Sequence, residues 1–422
     1  MNQLLHTPEG VRDIYGDECA VKLVLEDKIH RVFHSYGYND IQTPTLEYFD
    51  VFSKERGSVA SQEMFKLFDN DNNTLVLRPD MTPPIVRCVS KYYEEADMPV
   101  RLCYNGRTFI NDRSYRLRLK EGTDAGAELF GDDTLAADVE IIACMIDCLK
   151  ACGLQEFQID IGSAAFLEGV FAEIGFTQEV REKIRSYMLS KNFFALENLL
   201  LKENLTDRQR EIFKRLQVYS GNISQVMGME SLVRNENSKA AIRRLKSIYK
   251  RLGYYDMTRY VSFDIGMVTG YRYYTGIVFN AYTYGTGNAI VSGGRYDTLM
   301  SQFGYDAPAI GFKINVDGLM TALDRQHIQV ETPVRESVLL MDKNQSENCL
   351  KLAAGLRSRG ERIAVFQMDE GMTGDDYMEK ARRAGYDKLY MVSPSGAAVT
   401  IYDVADGSRR TVEYSDMMGG ES

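Results

Sequence analysis

Asp80 and Thr82 stand two residues apart in "LRPDMT" (77–82), and a carboxylate beside a hydroxyl suits an ammonium group. On an extended backbone both side chains face the same way. The same pair can equally cap a following helix as a turn. In "DAGAELFG" (124–131) Glu128 follows a glycine and alanines that leave space, so its carboxylate could accept a hydrogen bond from an imidazole or an amine; a solvated acid is the plainer reading. "MVTGYRYYTGIVF" (267–279) pairs Tyr273 with Tyr274, apolar bodies with polar tips, between Gly270 and Gly276. An ordinary strand with aromatic core residues fits it as well. "SGGRYDTLMSQFG" (292–304) puts two glycines before Arg295, and Arg295 with Asp297 is expected to open a helix whose start could take an anion. The P-loop lysine and spacer are missing from it.

Cysteine and histidine offer less. Cys144, Cys148 and Cys152 follow one another at four-residue spacing. On a helix that spreads three sulfurs over about 12 Å, a buried stripe rather than an iron–sulfur site. His30 and His34 form the one i, i+4 pair among four histidines. No carboxylate stands near them in a metal motif, so no metal is expected. No cofactor is called for.

These groups need elements to hold them. Residues 17–36 carry apolar side chains at helical spacing, and Gly37 stops them. A short strand broken at Pro44 follows. Strands are expected before Arg78, over 100–110 and near 157–162, with Glu128 where a strand meets the long helix 133–152. From about 165 to 255 helical patterns dominate, with a capping box at Thr206 and Gln209. Strands joined by glycine turns then return, and helices begin near Tyr296 and near 315. After about 330, strand and helix alternate as in a small α/β unit with a parallel sheet. The fold class is therefore α+β: an antiparallel sheet flanked by helices over 1–330, with a helical insertion over 165–255, and a C-terminal α/β domain over 335–422.

The 422 residues carry 50 basic and 60 acidic side chains, a formal charge of −10, which argues against dominant nucleic-acid binding. No apolar run approaches a membrane span, and "MNQLLHTPEG" lacks the pattern of a signal peptide, so a cytoplasmic protein with reduced cysteines and no membrane partner is expected.

Taken in order, "TPEGVRD", "IQTPTLE", "QEMFKLFD", "LRPDMT", "YYTGIVF" and "GGRYDTL" resemble the histidyl-tRNA synthetase family of class II aminoacyl-tRNA synthetases over essentially the whole chain. The resemblance implies a histidine-like pocket of Asp80, Thr82, Asp124, Glu128, Tyr273 and Tyr274, and an anticodon-binding-like C-terminal domain. Asp80 is one methylene shorter than the family's glutamate, and Asp124 replaces its glutamine. The resemblance also implies three lost arginines. Ile110, Thr269 and Gly318 stand where the family carries phosphate-contacting guanidinium groups. Each such loss costs on the order of 100-fold or more in rate. Arg272, Arg107, Arg113 and Arg118 are the nearby cations; Arg272, three residues from Thr269, points to the other face of a regular strand.

This loss pattern is similar to that of regulatory subunits of ATP phosphoribosyltransferase. Such a resemblance implies a chain without catalytic residues, required by a short-form catalytic subunit and for histidine feedback in the first step of histidine biosynthesis. It implies a homodimer, joined near Pro44, within a hetero-oligomer, and histidine as ligand. The alternative is a histidyl-tRNA synthetase that activates histidine with ATP and charges tRNA.

Overall fold

Alternation along two long strands decides what each face of the central sheet does. In the computed structural model, which describes residues 3–53, 59–111, 119–217, 221–270, 273–333, 335–369 and 371–419, the chain divides into two compact units, Met1–Glu331 and Thr332–Ser422.

In the first unit, helix α1 (Gly16–Ser35) leads to β1 (Asn39–Asp40), β2 (Leu46–Tyr48), β3 (Lys66–Phe68), β4 (Thr74–Leu77), α2 (Thr82–Tyr92), β5 (Val100–Phe109), β6 (Glu121–Phe130), α3 (Leu135–Ala151) and β7 (Phe157–Ser163). Six helices follow: α4 (Ala164–Ile174), α5 (Gln178–Leu189), α6 (Phe193–Leu200), α7 (Asp207–Leu216), α8 (Ile223–Gly228) and α9 (Glu236–Leu252). Then come β8 (Val261–Phe263), β9 (Ile277–Thr283), β10 (Val291–Arg295), β11 (Ala309–Asn315) and α10 (Val316–Arg325).

Eight strands form one sheet in the order β1-β5-β6-β11-β10-β9-β7-β8, antiparallel inside, with a parallel pair at each edge (β1 on β5, β8 on β7). Odd positions of β6 (Ala125, Ala127, Leu129) pack into the main core with Leu25, Ile29 and Phe33 of α1 and the buried side of α3. Even positions (Asp124, Gly126, Glu128) face the other way, level with Gly106, Tyr104 and Leu102 of β5. Glu128 therefore sits inside a central strand, not at a strand–helix junction. Cys144 and Cys148 on α3, and Cys152 just past its end, are buried and free of disulfides.

Each helix of the inserted block starts at a side-chain N-cap: Ser163, Thr177, Asn192, Thr206, Asn222 and Asn235 each accept from a backbone N–H two or three residues on. At Thr206 the reciprocal bond from Gln209 completes a capping box.

Three expectations fail. No α-helix begins near Tyr296: Arg295 ends β10, and a 3₁₀ turn, Met300–Phe303, follows. Of the two alternatives left open at Asp80 and Thr82, the extended one fails, because Met81 between them already has helical dihedrals. Pro83 and Pro84 lie in the first turn of α2, where their fixed φ and missing N–H cost nothing, so the chain turns helical at once and the Thr82 amide points to Asp80 Oδ1 at 3.4 Å. Finally, a carboxylate does stand beside the histidine pair. Gly37, at φ +79°, turns the chain back, and Asp40 meets both His30 and His34.

β2, β4 and β3 form a separate three-stranded sheet on either side of which polarity is inverted. Glu47 points inward to Arg87 at 2.8 Å, while Leu46 and Tyr48 face out beside Leu77 and Leu75.

The second unit runs β12 (Ser337–Met341), α11 (Ser346–Ser358), β13 (Ile363–Gln367), α12 (Gly374–Ala384), β14 (Lys388–Val392), β15 (Ala398–Asp403), β16 (Arg409–Glu413) and α13 (Tyr414–Met418). Its sheet order is β13-β12-β14-β15-β16, parallel in the first three strands and antiparallel in the last. Leu339 and Tyr390 pack on α11, and Val338, Leu340 and Leu389 on α12, so helices cover both faces. Among the described residues no helix is long and apolar enough to cross a membrane.

Candidate functional site

The even-numbered face of β6 lines a tight pocket, with about 240 Å³ of empty space when the open solvent at its mouth is included. Two carboxylates line it, Asp80 and Glu128, with the hydroxyls of Thr82, Tyr273, Tyr274, Ser292 and Tyr296 and the ammonium of Lys313. Five of the six expected pocket residues thus converge. Asp124 is two alternations from Glu128 on the same face of β6 and reaches the pocket through a neighbour: Lys313 Nζ donates to its Oδ2 at 3.1 Å, and Thr108 Oγ1 to the same oxygen at 3.0 Å.

Glu128 is the centre of the arrangement. Thr82 Oγ1 donates to Oε1 at 2.7 Å, and Tyr296 donates to Oε2. Burial away from water pushes the carboxyl up to about 8; the two hydroxyl donors pull it down, and Asp80 raises it further. Room for the side chain comes from Gly311 on the facing strand, where a Cβ would lie 1.7 Å from Glu128 Oε2. Tyr273 OH donates to Asp80 Oδ2 at 3.2 Å. Its ring meets Tyr274 and Tyr296 edge-on, with centroids 5.0 and 5.7 Å away, so three aromatic rings wall one side.

Arg295 lies behind this wall and is no anion site. Its guanidinium donates from Nη2 and Nε to Asp138 Oδ1 at 2.7 and 2.9 Å, and from Nη1 to the Asp132 carbonyl and to Asp297. Asp138 also pairs with Arg244 of α9.

Tyr296, Lys313, Ser292 and Phe312 were not singled out from the sequence. Tyr296 has a signal, since it follows Arg295 in a quoted motif. Lys313 has one only if β11 is read in register with β6, because a lysine in "AIGFKIN" otherwise reads as a solvent-facing strand residue.

Of the three other positions, Ile110 is half-buried just past β5, its amide on the Lys120 carbonyl at 2.8 Å. Thr269 is half-buried in the segment before the tyrosines. Gly318 lies in the first turn of α10, where Asn315 caps its amide and a Cβ would come 2.6 Å from Asn315 Oδ1. Arg107 pairs with Glu121 at 2.6 Å. Arg113, Arg118 and Arg272 lie outside the described residues.

A sequence profile described as histidyl-tRNA synthetase matches residues 10–319. The ATP phosphoribosyltransferase regulatory subunit of Acetivibrio thermocellus is 38% identical over 86% of either chain. That of Ruminiclostridium cellulolyticum is 33% identical over 99% of either chain, so the similarity includes the second unit. Among solved structures, one from Bacillus halodurans described as an ATP phosphoribosyltransferase regulatory subunit/histidyl-tRNA synthetase superposes with a TM-score of 0.82, at 30% identity, over 92% of this chain and 98% of its own. A histidyl-tRNA synthetase from Nostoc shares the fold, with a TM-score of 0.80 at 19% identity over 98% of each chain.

Proposed function

The chain belongs to the histidyl-tRNA synthetase-like family, among the ATP phosphoribosyltransferase regulatory subunits, and we propose that it performs that regulatory role by holding an amino acid in the pocket around Glu128. It serves histidine biosynthesis as the partner that a short-form catalytic subunit requires for activity, and it carries histidine feedback.

One observation supports this reading above the others. Among the described residues the pocket offers the Asp80 and Glu128 carboxyl groups and several hydroxyls to an ammonium and an imidazole, and one lining cation, Lys313, to a carboxylate. Ile110, Thr269 and Gly318 supply no positive charge for a triphosphate. Phosphoryl chemistry on ATP leans on such preorganised cations. A site without them can bind an amino acid and leave it unactivated. Binding then influences the partner only through a difference in affinity between two states of the complex.

The test is direct. Purified chain alone is expected to show no histidine-dependent exchange of pyrophosphate into ATP. Mixed with a short-form catalytic subunit, it is expected to switch on phosphoribosyl transfer and to make that transfer sensitive to histidine. Exchange by the chain alone, or no activation, overturns the proposal; the first result would favour histidine activation for tRNA charging.

The inverted small sheet supports a homodimer. Leu46, Tyr48 and Leu67 stand exposed on its outer face beside Leu75 and Leu77. Contiguous exposed apolar surface of this kind marks an interface. Light scattering of the isolated chain at micromolar concentration is expected to give twice the chain mass, and Leu46→Glu with Tyr48→Glu to give the monomer.

A further inference from the structure

The other face of the same sheet carries a cluster that the pocket does not use. His30 and His34 occupy successive turns of α1, with ring centroids 4.1 Å apart. Asp40, on edge strand β1, receives the Nε2 of each ring on a different oxygen, at 2.7 and 3.0 Å. β1 pairs with β5 in a register that sets Asp40 beside Cys103, whose Sγ is 3.6 Å from Asp40 Oδ1. One donor atom from each of the four residues lies within 4.8 Å of all the others.

We propose that His30, His34, Asp40 and Cys103 form a binding site for a divalent transition ion of the zinc and cobalt class. The donor set selects that class. Two imidazoles and a sulfur are poor partners for calcium or magnesium, which take oxygen ligands, and good ones for zinc. Tetrahedral zinc holds nitrogen and oxygen at about 2.0 Å and sulfur at about 2.3 Å. Four donors already gathered within 4.8 Å approach that spacing, and three of them can adjust. His30, His34 and Asp40 have side chains 42%, 47% and 56% exposed, free to rotate around an entering ion. Cys103 is buried and forms the floor.

Position argues for a structural role. The donors come from α1, from a two-residue edge strand paired with β5, and from β5 itself, so the cluster sits at the rim of the core that packs α1 on the sheet. An ion bound by all three would lock the edge of the sheet to the helix covering it. The surface hydrogen bonds that Asp40 makes without a metal contribute little by comparison.

The full-length chain, prepared without a polyhistidine tag and stripped of metal, is titrated with cobalt(II). The expected result is one cobalt per chain, with the visible bands of a tetrahedral centre and a near-ultraviolet thiolate-to-cobalt band, both erased by zinc(II). Cys103→Ser is expected to remove the near-ultraviolet band alone. His30→Ala with His34→Ala, both on an exposed helix face and so compatible with folding, is expected to weaken binding at least tenfold. Non-saturating binding by the native chain, or tight binding unchanged in the double histidine variant, overturns the site.

Discussion

Glu128 shows how one side chain can tie stability to pH. Burial keeps its carboxyl protonated up to about pH 8, whereas in an unfolded chain it ionises near its ordinary value of 4.5. Between those values the folded chain holds a proton that the unfolded chain has lost. Stability from this group is therefore complete below about pH 4.5 and falls as the pH rises through 8. A displacement of this size is worth on the order of a few kcal/mol. Glu128→Gln keeps the shape and removes the ionisation. Urea unfolding at pH 5 and pH 8 is expected to show the native chain losing more stability across that interval than the variant does, and equal losses would contradict the assignment. The sequence revealed that Glu128 had space beside it but not that it was dry. "DAGAELFG" reads the same with a solvated acid, and the burial comes from Tyr296 and Gly311, which lie far along the chain.

Among the elements, Asp138 joins three. It sits in the first turn of α3, fully buried, and meets Arg295 from β10 and Arg244 from α9. Asp138→Asn removes the counter-charge that the two guanidinium groups share and leaves Arg295 with that of Asp297 alone. Breaking a buried pair in this way costs about 3–5 kcal/mol. Thermal unfolding is expected to start well below that of the native chain, with the helical block of 164–252 loosening from the sheet; an unchanged melting curve would show the pair to be dispensable. This partnership explains why "SGGRYD" misleads as a sequence. Glycines before an arginine look like an anion-binding helix start, and the partner that decides otherwise is 157 residues away. Local signals fared better where the structure is local. The capping box at Thr206 and the stop at Gly37 were readable from a few neighbouring residues. Asp40 was not, because its meeting with His30 and His34 depends on the turn between them.

At the scale of the whole molecule, every pocket residue belongs to Met1–Glu331. A chain ending at residue 331 is expected to bind histidine as the full chain does, measured by isothermal titration; lost affinity would place part of the site in the second unit. The change to alternating strand and helix after residue 330 made that unit legible, since β12 and β13 are each followed within a few residues by a helix. From residue 335 onward it carries 12 Lys and Arg against 15 Asp and Glu, net −3, which gives little electrostatic pull on an RNA backbone. The six-helix insertion has a further consequence, for a chain being made on a ribosome. Glu128 emerges long before Tyr296 and Gly311, with the helical block between them. At about 5–20 residues per second the carboxylate waits roughly ten to thirty seconds for its cover. Nascent chains stalled before residue 296 would leave Glu128 uncovered, so the pocket can close only once Tyr296 and Gly311 have been made.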